Sequence, residues 1–288
     1  MESLCWSNCK TYRESDYIII GLPDESHSHS LRKGTSEAPD KIRKISRERD
    51  IYVEDKESIA YTSAGIPQSK IFDLGNISRE NIPFVYERVF RDEKIPITMG
   101  GDHSLTTKII QALGDKHGPI SLVYFDAHPD FLSSIRDFYG SVVYDCLPYI
   151  NPKSSVMLGI RSPEAEEIQN IKKYGMTVLS PADILYYGFQ QTVNQIISTV
   201  GKNIYVSFDM DCIDPAFAPG VSVPVPLGLN PVTVSVLLKS IMKAGIIGMD
   251  VMEVCPKFDI QDTTSHLASR LIGEILTALT IKKKIQYF

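Results

Sequence analysis

The chain has 288 residues, of which 43% are hydrophobic and 23% are charged, and its formal net charge is −5. This composition is that of an ordinary globular protein, long enough to bury one large core. An acidic balance disfavours nucleic acid, which binds basic faces. No apolar run in the sequence reaches the roughly 18 to 20 residues of a membrane span. We therefore expect neither a nucleic-acid partner nor a membrane partner.

Five cysteines are scattered along the chain, namely Cys5, Cys9, Cys146, Cys212 and Cys255. An odd, scattered set is typical of reduced thiols and not of a disulfide framework. The first two resemble half of a zinc site, but no second Cys or His pair follows at a matching spacing. The N-terminal residues also lack the pattern of a signal peptide. These features together predict a cytoplasmic protein.

Short apolar runs alternate with segments of helical periodicity along almost the whole chain. The predicted strands are Tyr17–Leu22, Ile71–Leu74, Ile95–Met99, Ile120–Asp126, Ser155–Ile160, Met176–Leu179, Ile204–Asp209 and Ile246–Val251. The predicted helices include Asn81–Asp92, Leu105–Leu113, Pro163–Tyr174, Val232–Lys243 and Ser265–Ile281. Apolar strands separated by helices indicate a parallel sheet covered on both faces. With no internal repeat or linker, the sequence predicts one α/β domain over residues 1–288.

Four of the predicted strands end in residues that carry carboxylates, imidazoles or both. The segments that follow these strands are Gly100–Ser104, Asp126–Asp130, Asp209–Asp211 and the residues from Glu253. Ligand sites in parallel sheets form beyond the carboxyl ends of the strands. We therefore expect these four segments to share one site.

Other strand ends lack this chemistry. The strands that end at Leu22 and Leu179 lead into ordinary turns that contain Pro and Ser. His27 and His29, which follow Leu22, are predicted to lie in a loop and to have no catalytic role.

In the segment Ser207–Pro215, the carboxylates of Asp209 and Asp211 point to the same side of a strand because they are two residues apart. Like charges this close raise each other's pKa and cost several kcal/mol when unpaired. The segment has no Lys or Arg to neutralise them. A bound metal ion is the simplest source of positive charge, and a solvated acidic turn is the alternative.

Taken together, the strand ends supply two imidazoles and four carboxylates, from His103, Asp126, His128, Asp130, Asp209 and Asp211. Such a donor set suits Mn²⁺, Fe²⁺ or Mg²⁺, and the lack of nearby thiolate pairs argues against structural zinc. Four negative charges match two divalent ions, which in paired sites lie roughly 3.5–4 Å apart. Water in such a site ionises near neutral pH, so the sequence predicts metal-assisted hydrolysis.

The motifs at these strand ends resemble those of the arginase–agmatinase (ureohydrolase) family. Gly100–Ser104, Asp126–Asp130 and Ser207–Gly220 resemble its three signature motifs, and Asp250–Pro256 resembles a fourth. The segment that begins Gly21-Leu22-Pro23-Asp24 resembles the N-terminal part of the family. The resemblance implies a three-layer α/β/α fold with a central, mainly parallel sheet of eight strands. It also implies a homotrimer or a homohexamer.

The resemblance assigns roles to individual residues. Two Mn²⁺ ions per subunit would be held by the six candidate ligands, His103, Asp126, His128, Asp130, Asp209 and Asp211, with the two aspartates Asp126 and Asp209 bridging. Glu253 matches the carboxylate that pairs with a substrate guanidinium, a planar cation that suits a bidentate carboxylate. Asp130 would then move a proton to the departing amine.

Two segments depart from the family pattern. Tyr139 lies where most members carry an imidazole that helps to shuttle protons, and a phenol with a pKa near 10 is a poorer shuttle at neutral pH. We therefore expect a lower kcat, a more alkaline optimum or a different substrate. The segment Val221–Pro224 also differs from the usual border of the substrate pocket, which bears on specificity.

The loop Phe131–Tyr139 is short and contains no Asn, whereas arginases hold the head of arginine with Ser and Asn from a longer loop. The resemblance therefore favours agmatine as the guanidino substrate, with putrescine and urea as products. Guanidinobutyrate, formiminoglutamate or arginine is the alternative, and Arg136 could then bind the acid. A relative that binds metal without catalysis is a further alternative, which only Tyr139 favours.

Overall fold

Eight parallel strands form one sheet in the structure, a computed structural model that describes residues 2–48 and 69–285. The strands are β1 (Tyr17–Leu22), β2 (Ile71–Asn76), β3 (Ile95–Gly100), β4 (Ser121–Phe125), β5 (Val156–Leu158), β6 (Thr177–Leu179), β7 (Ile204–Asp209) and β8 (Gly248–Met252). Their order across the sheet is β2-β1-β3-β8-β7-β4-β5-β6. The predicted strands are confirmed, with ends shifted by a few residues.

Eight helices pack against this sheet in the described part of the chain. They are α1 (Ala38–Arg47), α2 (Ile82–Arg91), α3 (Leu105–His117), α4 (Val142–Cys146), α5 (Ala165–Tyr174), α6 (Pro181–Thr199), α7 (Pro231–Ala244) and α8 (Thr263–Ile285). Three of these helices, α1, α4 and α6, were not among the predicted ones. None of the helices among the described residues has both the length and the apolar character needed to cross a membrane.

Two hydrophobic clusters lie on opposite faces of the sheet. One joins the sheet to α1, α6, α7 and α8, and it includes Ile42, Leu237 and Ile272. The other joins the sheet to α2, α3 and α4, and it includes Tyr86 and Ile109. Because alternate strand residues point to opposite faces, strands such as β1, β4 and β7 contribute to both clusters. This arrangement confirms the expected three-layer α/β/α fold.

The four strands at the centre of the sheet are β3, β8, β7 and β4, and nearly all of their residues are buried. Their register places Thr98 beside Asp250, Asp250 beside Ser207, and Phe208 beside Phe125. The carboxyl ends of these strands therefore lie next to one another at one edge of the sheet. Three of them are followed directly by segments in which the sequence places its candidate ligands.

Helix ends follow from local sequence. Ser180 caps α6 by accepting a hydrogen bond from the backbone N–H of Asp183 at 3.1 Å, and Asn230 caps α7 by accepting one from Thr233 at 2.9 Å. A proline follows each cap as the first helical residue, where its missing N–H costs nothing. These caps determine where two of the helices begin.

A buried ion pair connects α1 to β2. The guanidinium of Arg43 donates to both carboxylate oxygens of Asp73, at 2.9 Å each, and the two side chains are 1% and 2% exposed. Arg43 also donates to the Asn76 side chain at 2.6 Å. The pair holds the outermost strand to the helix layer.

Candidate metal centre

All six candidate ligands meet at the carboxyl ends of the four central strands. His103 lies in the turn between β3 and α3, where glycine permits a close approach: a Cβ on Gly101 would lie 1.9 Å from the carbonyl oxygen of Asp24. The next residue, Asp102, donates its backbone N–H to that same oxygen at 3.0 Å. The segment after β3 is thereby held against the loop after β1.

The first group of ligands surrounds the imidazole of His103. Its Nδ1 lies 3.0 Å from Asp126 Oδ2, 3.2 Å from Asp209 Oδ2 and 3.4 Å from Asp130 Oδ2. All four side chains are buried. One imidazole nitrogen and three carboxylate oxygens therefore point to one position.

The second group surrounds His128, which follows β4. Its Nδ1 lies 3.1 Å from Asp211 Oδ2 and 3.4 Å from Asp126 Oδ1. Asp126 thus offers one carboxylate oxygen to each group, as expected for a bridging ligand. Asp209 lies 3.2 Å from His103, and its other oxygen, Oδ1, accepts the backbone N–H of Asp211 at 2.7 Å.

Charges in this cluster shift one another's pKa strongly. Burial raises the pKa of Asp130, and repulsion from Asp126 raises it further. Burial also raises the pKa of Asp209, with repulsion from Asp211 and Asp126. Burial lowers the pKa of His128, but the Asp211 and Asp126 carboxylates outweigh it and raise the value to about 12. Burial raises the pKa of Asp126, whereas its two imidazole partners lower it more. Such carboxylates need positive charge close by.

A metal ion fits this donor set. Asp126 Oδ2 is buried and makes no hydrogen bond. It lies 3.0 Å from His103 Nδ1, but the angles between the two groups are not those of a hydrogen bond. Two atoms that face each other in this way suit a shared cation. Two groups of three side chains each lie close enough together to hold an ion. The first is His103, Asp126 and Asp130, and the second is Asp126, His128 and Asp211. Carboxylates with imidazole suit Mn²⁺, Fe²⁺ or Mg²⁺.

Asp250 supports this centre from beneath, a role that was not predicted from its motif. Its carboxylate accepts hydrogen bonds from Tyr205 Oη at 2.8 Å, Thr106 Oγ1 at 2.9 Å and Ser207 Oγ at 2.8 Å. A buried carboxylate in the middle of a strand implies hydrogen-bond partners of this kind. An aspartate within an apolar run of the sequence could therefore have indicated this supporting role for Asp250.

Glu253 lies beside the first ligand group. Its side chain is buried, its Oε1 accepts the backbone N–H of His103 at 2.8 Å, and its Oε2 accepts a hydrogen bond from Ser222 Oγ. Burial and the charge of Asp102 raise its pKa to about 8. A carboxyl group with so high a pKa would gain from pairing with a cation.

Tyr139 faces the same site and is only partly buried. Burial raises its pKa, and the nearby charges of Asp130 and Glu253 raise it further. Arg136, three residues earlier, does not face the site as the acid-binding hypothesis required. Its guanidinium donates to the Asp145 carboxylate and lies 4.8 Å from the Tyr144 ring centroid.

The loop after β1 also borders the centre, and the prediction of a turn after Leu22 did not include these contacts. The backbone N–H of His27 donates to Asp102 Oδ2 at 3.1 Å. Its ring Nδ1 lies 2.7 Å from the carbonyl oxygen of Asp137, and Ser30 Oγ donates to the carbonyl oxygen of Ser222 at 2.9 Å. Sequence spacing could not reveal these contacts, because they join loops far apart in the chain.

The fold and the site together define the class of this protein. It is a three-layer α/β/α protein with a candidate two-metal centre, built from carboxylates and imidazoles at the ends of its central strands. The model described as "Arginase family" matches residues 15–278. The chain therefore belongs to the arginase family.

Relatives in this family include enzymes that differ in substrate. The chain is 30% identical to the agmatinase of Blochmanniella floridana, over 92% of this chain and 88% of the relative. It is 29% identical to the human mitochondrial guanidino acid hydrolase, over 92% of this chain and 78% of the relative. The structure of agmatine ureohydrolase from Thermoplasma volcanium superposes with a TM-score of 0.85 at 27% identity, over 100% of this chain and 97% of that one.

Proposed function

We propose that the protein is an agmatinase that hydrolyses the guanidinium of agmatine to putrescine and urea with two Mn²⁺ ions per subunit. The observation that carries the proposal is Glu253, a buried carboxylate beside the ligand group of His103. A planar guanidinium pairs well with such a carboxylate. The agmatinase among the relatives supports the same substrate.

The six candidate ligands, His103, Asp126, His128, Asp130, Asp209 and Asp211, would hold the two ions. When bound, such ions supply a water that ionises near neutral pH. Glu253 orients the guanidinium, and its two hydrogen-bond donors hold the carboxylate in place.

Asp130 is suited to carry a proton to the departing amine. Burial and Asp126 raise its pKa, and the Tyr124 hydroxyl donates to its Oδ2 at 2.5 Å. A carboxyl group with a raised pKa holds a proton long enough to pass it on near neutral pH. Tyr124 fixes the direction in which Asp130 points.

The charges near the site favour an amine over an acid at the far end of the substrate. Arg136 is engaged by Asp145 and is not free to bind a carboxylate. Asp137, in the same loop, is exposed and acidic. A negative rim attracts the ammonium group of agmatine.

A guanidino acid is the second candidate, and Arg32 favours it. Its guanidinium lies near the carbonyl oxygen of Val221, at 3.4 Å, and 5.2 Å from the Phe258 ring centroid. The segment Val221–Pro224 departs from the family pattern. The human guanidino acid hydrolase among the relatives fits this alternative.

The test is hydrolysis by Mn²⁺-loaded protein across pH 7 to 10. Urea release is measured with agmatine, arginine and guanidinobutyrate, and formamide release with formiminoglutamate. Urea from agmatine alone supports the proposal. Turnover of an acid, lost in Arg32→Met and retained in Arg136→Met, would move the assignment to the second candidate. Two bound metal ions without turnover of any substrate would indicate a non-catalytic relative.

We also propose a cytoplasmic homotrimer or homohexamer. No disulfide joins the five cysteines, all of which lie in the described part of the chain, and this suits a reducing compartment. Leu185 and Tyr186 on α6 are 85% and 87% exposed, and large apolar side chains in such a position suit a subunit interface. Light scattering combined with size-exclusion chromatography measures the assembly, and a monomer at micromolar concentration would contradict it.

A further inference from the structure

We propose that His29 is the proton-relay residue of this site, and that it exchanges protons between solvent and Tyr139. The inference rests on the proposed function, because it concerns the same reaction. It assigns a role to a histidine that lies in a different loop from every candidate ligand.

His29 lies on the solvent side of two aromatic residues that border the site. Its ring stacks on Phe138, with centroids 5.1 Å apart and an interplanar angle of 25°. It meets Tyr139 edge-on, with centroids 6.3 Å apart and an angle of 84°. Phe138 is buried, Tyr139 is partly buried and His29 is exposed. The imidazole therefore connects the inner phenol with water.

Neighbours on both sides hold His29 in this position. The ring Nδ1 of His27 lies within hydrogen-bond distance of the carbonyl oxygen of Asp137, and Ser30 Oγ donates to the carbonyl oxygen of Ser222. Both acceptors belong to segments that border the candidate centre. Because His27 and Ser30 make these hydrogen bonds on either side of His29, the backbone holds the His29 side chain beside Phe138 and Tyr139.

Tyr139 cannot perform this exchange alone near neutral pH. Its side chain is partly buried, and a phenol has an ordinary pKa near 10. A phenol in this environment holds its proton tightly. An imidazole has an ordinary pKa near 6.5 and both gains and loses protons readily at neutral pH. Besides His27 and Asp137, which lie 3.5 Å apart, these two loops carry the charged residues Asp24, Glu25, Arg32, Lys33 and Arg136.

The relay balances the protons of guanidinium hydrolysis. Ionisation of the attacking water releases one proton, which leaves through Tyr139 and His29. A C–O bond forms at the central carbon, the remaining water proton passes through Asp130 to the substituted nitrogen, and the C–N bond to that nitrogen breaks. The departing neutral amine then takes one proton from solvent along the same route. Urea and an ammonium product result, with no net proton change.

The kinetic experiment compares His29→Asn with a matched control, His117→Asn, in which a histidine distant from the site is removed. We expect His29→Asn to lower kcat by about 10²-fold with KM unchanged, since a positioned acid–base group contributes about 10²–10⁴-fold. Free imidazole in the buffer should restore much of the lost rate. Tyr139→Phe should cause a similar loss, and the double variant no further loss, because the two residues act in one route.

An unchanged rate in His29→Asn, or a loss that imidazole does not restore and that appears in KM, would overturn the relay. The relay and the proposed function can fail separately: wild-type protein that hydrolyses no guanidino compound contradicts only the function.

A second readout needs no turnover. In protein loaded with diamagnetic Mg²⁺ and labelled with ¹³C-histidine, the His29 resonance, assigned from His29→Asn, is titrated with and without Tyr139→Phe. We expect the His29 midpoint to move and the His117 midpoint to stay. An unmoved His29 midpoint would refute the contact on which the relay depends.

Discussion

His103 Nε2 lies 2.8 Å from the hydroxyl oxygen of Ser207, across the sheet from β3 to β7. Ser207 Oγ donates its own proton to Asp250 Oδ1 at 2.8 Å. Its oxygen therefore accepts a hydrogen bond from Nε2–H of His103. The other nitrogen, Nδ1, is then the one that faces Asp126 and Asp209 with a free lone pair when the ring is neutral. Partners of this kind fix the tautomer of a metal-binding histidine.

Replacing Ser207 with Ala should weaken metal binding without removing a ligand. Loss of such an outer partner typically lowers metal affinity by about 10–100-fold, and we expect a decrease of this size for Mn²⁺. Isothermal titration of metal-free protein measures it. Ser198→Ala, which removes an exposed hydroxyl on α6, is the control. Equal affinity in the two variants would show that Ser207 does not orient His103.

Removing the Ser222 hydroxyl should impair the use of a guanidino substrate. Glu253 Oε2 would lose the donor that Ser222 provides, and an unsatisfied buried acceptor costs about 1–3 kcal/mol. Since about 1.4 kcal/mol corresponds to a tenfold change, we expect kcat/KM of Ser222→Ala to fall about tenfold or more. Steady-state urea release measures it. Ser222→Thr retains a hydroxyl and should lose much less, and equal losses in both variants would indicate a packing defect.

Breaking the Arg43–Asp73 pair should destabilise the fold. Arg43→Met leaves the Asp73 carboxylate buried without its bidentate partner. Removal of one member of a buried ion pair costs about 3–5 kcal/mol, so we expect a loss of this size in the free energy of unfolding. Urea titration followed by circular dichroism measures it. Arg47→Met, at a more exposed position on the same helix, should cost under about 1 kcal/mol. Similar losses in both variants would argue against the pair.

The stability of metal-free protein should decrease as the pH rises. Burial and Asp102 raise the pKa of Glu253 from 4.5 to about 8, so between these values the folded chain keeps a proton that the unfolded chain has released. The free energy of unfolding therefore falls across this window. The His128 pKa is raised from 6.5 to about 12, despite burial, by Asp211 and Asp126. The stabilisation that His128 contributes to the folded state is complete below pH 6.5 and decreases above it. His128 and Glu253 therefore both make the protein less stable as the pH rises.

Differential scanning calorimetry of metal-free protein at about pH 6 and about pH 8.5 tests this expectation. The Tm should be lower at the higher pH, and the difference should be smaller in Glu253→Gln. Mn²⁺ should raise the Tm more at the higher pH, because the ion competes with protons for the same groups. A metal-free Tm that rises with pH would contradict the raised pKa of Glu253.

Much of the fold follows from the pattern of residues along the chain. The apolar runs at β1 and β7 coincide with the strands because a buried parallel strand needs apolar side chains on both faces. The short helix α4 was missed, since its five residues, Val142–Cys146, are too few to show a helical period. The predicted strand Ile246–Val251 begins two residues later, at Gly248.

The sequence by itself determined the chemistry of the candidate centre, because carboxylates and imidazoles placed directly after apolar strands identify a donor set wherever the strands lie. The tertiary structure alone decided which loops meet. His29 contacts Tyr139 although the strands before their two loops, β1 and β4, are separated in the sheet by β3, β8 and β7. Arg136 turns to Asp145 instead of the site. Contacts between loops depend on strand order and on loop path, and neither is expressed in local periodicity.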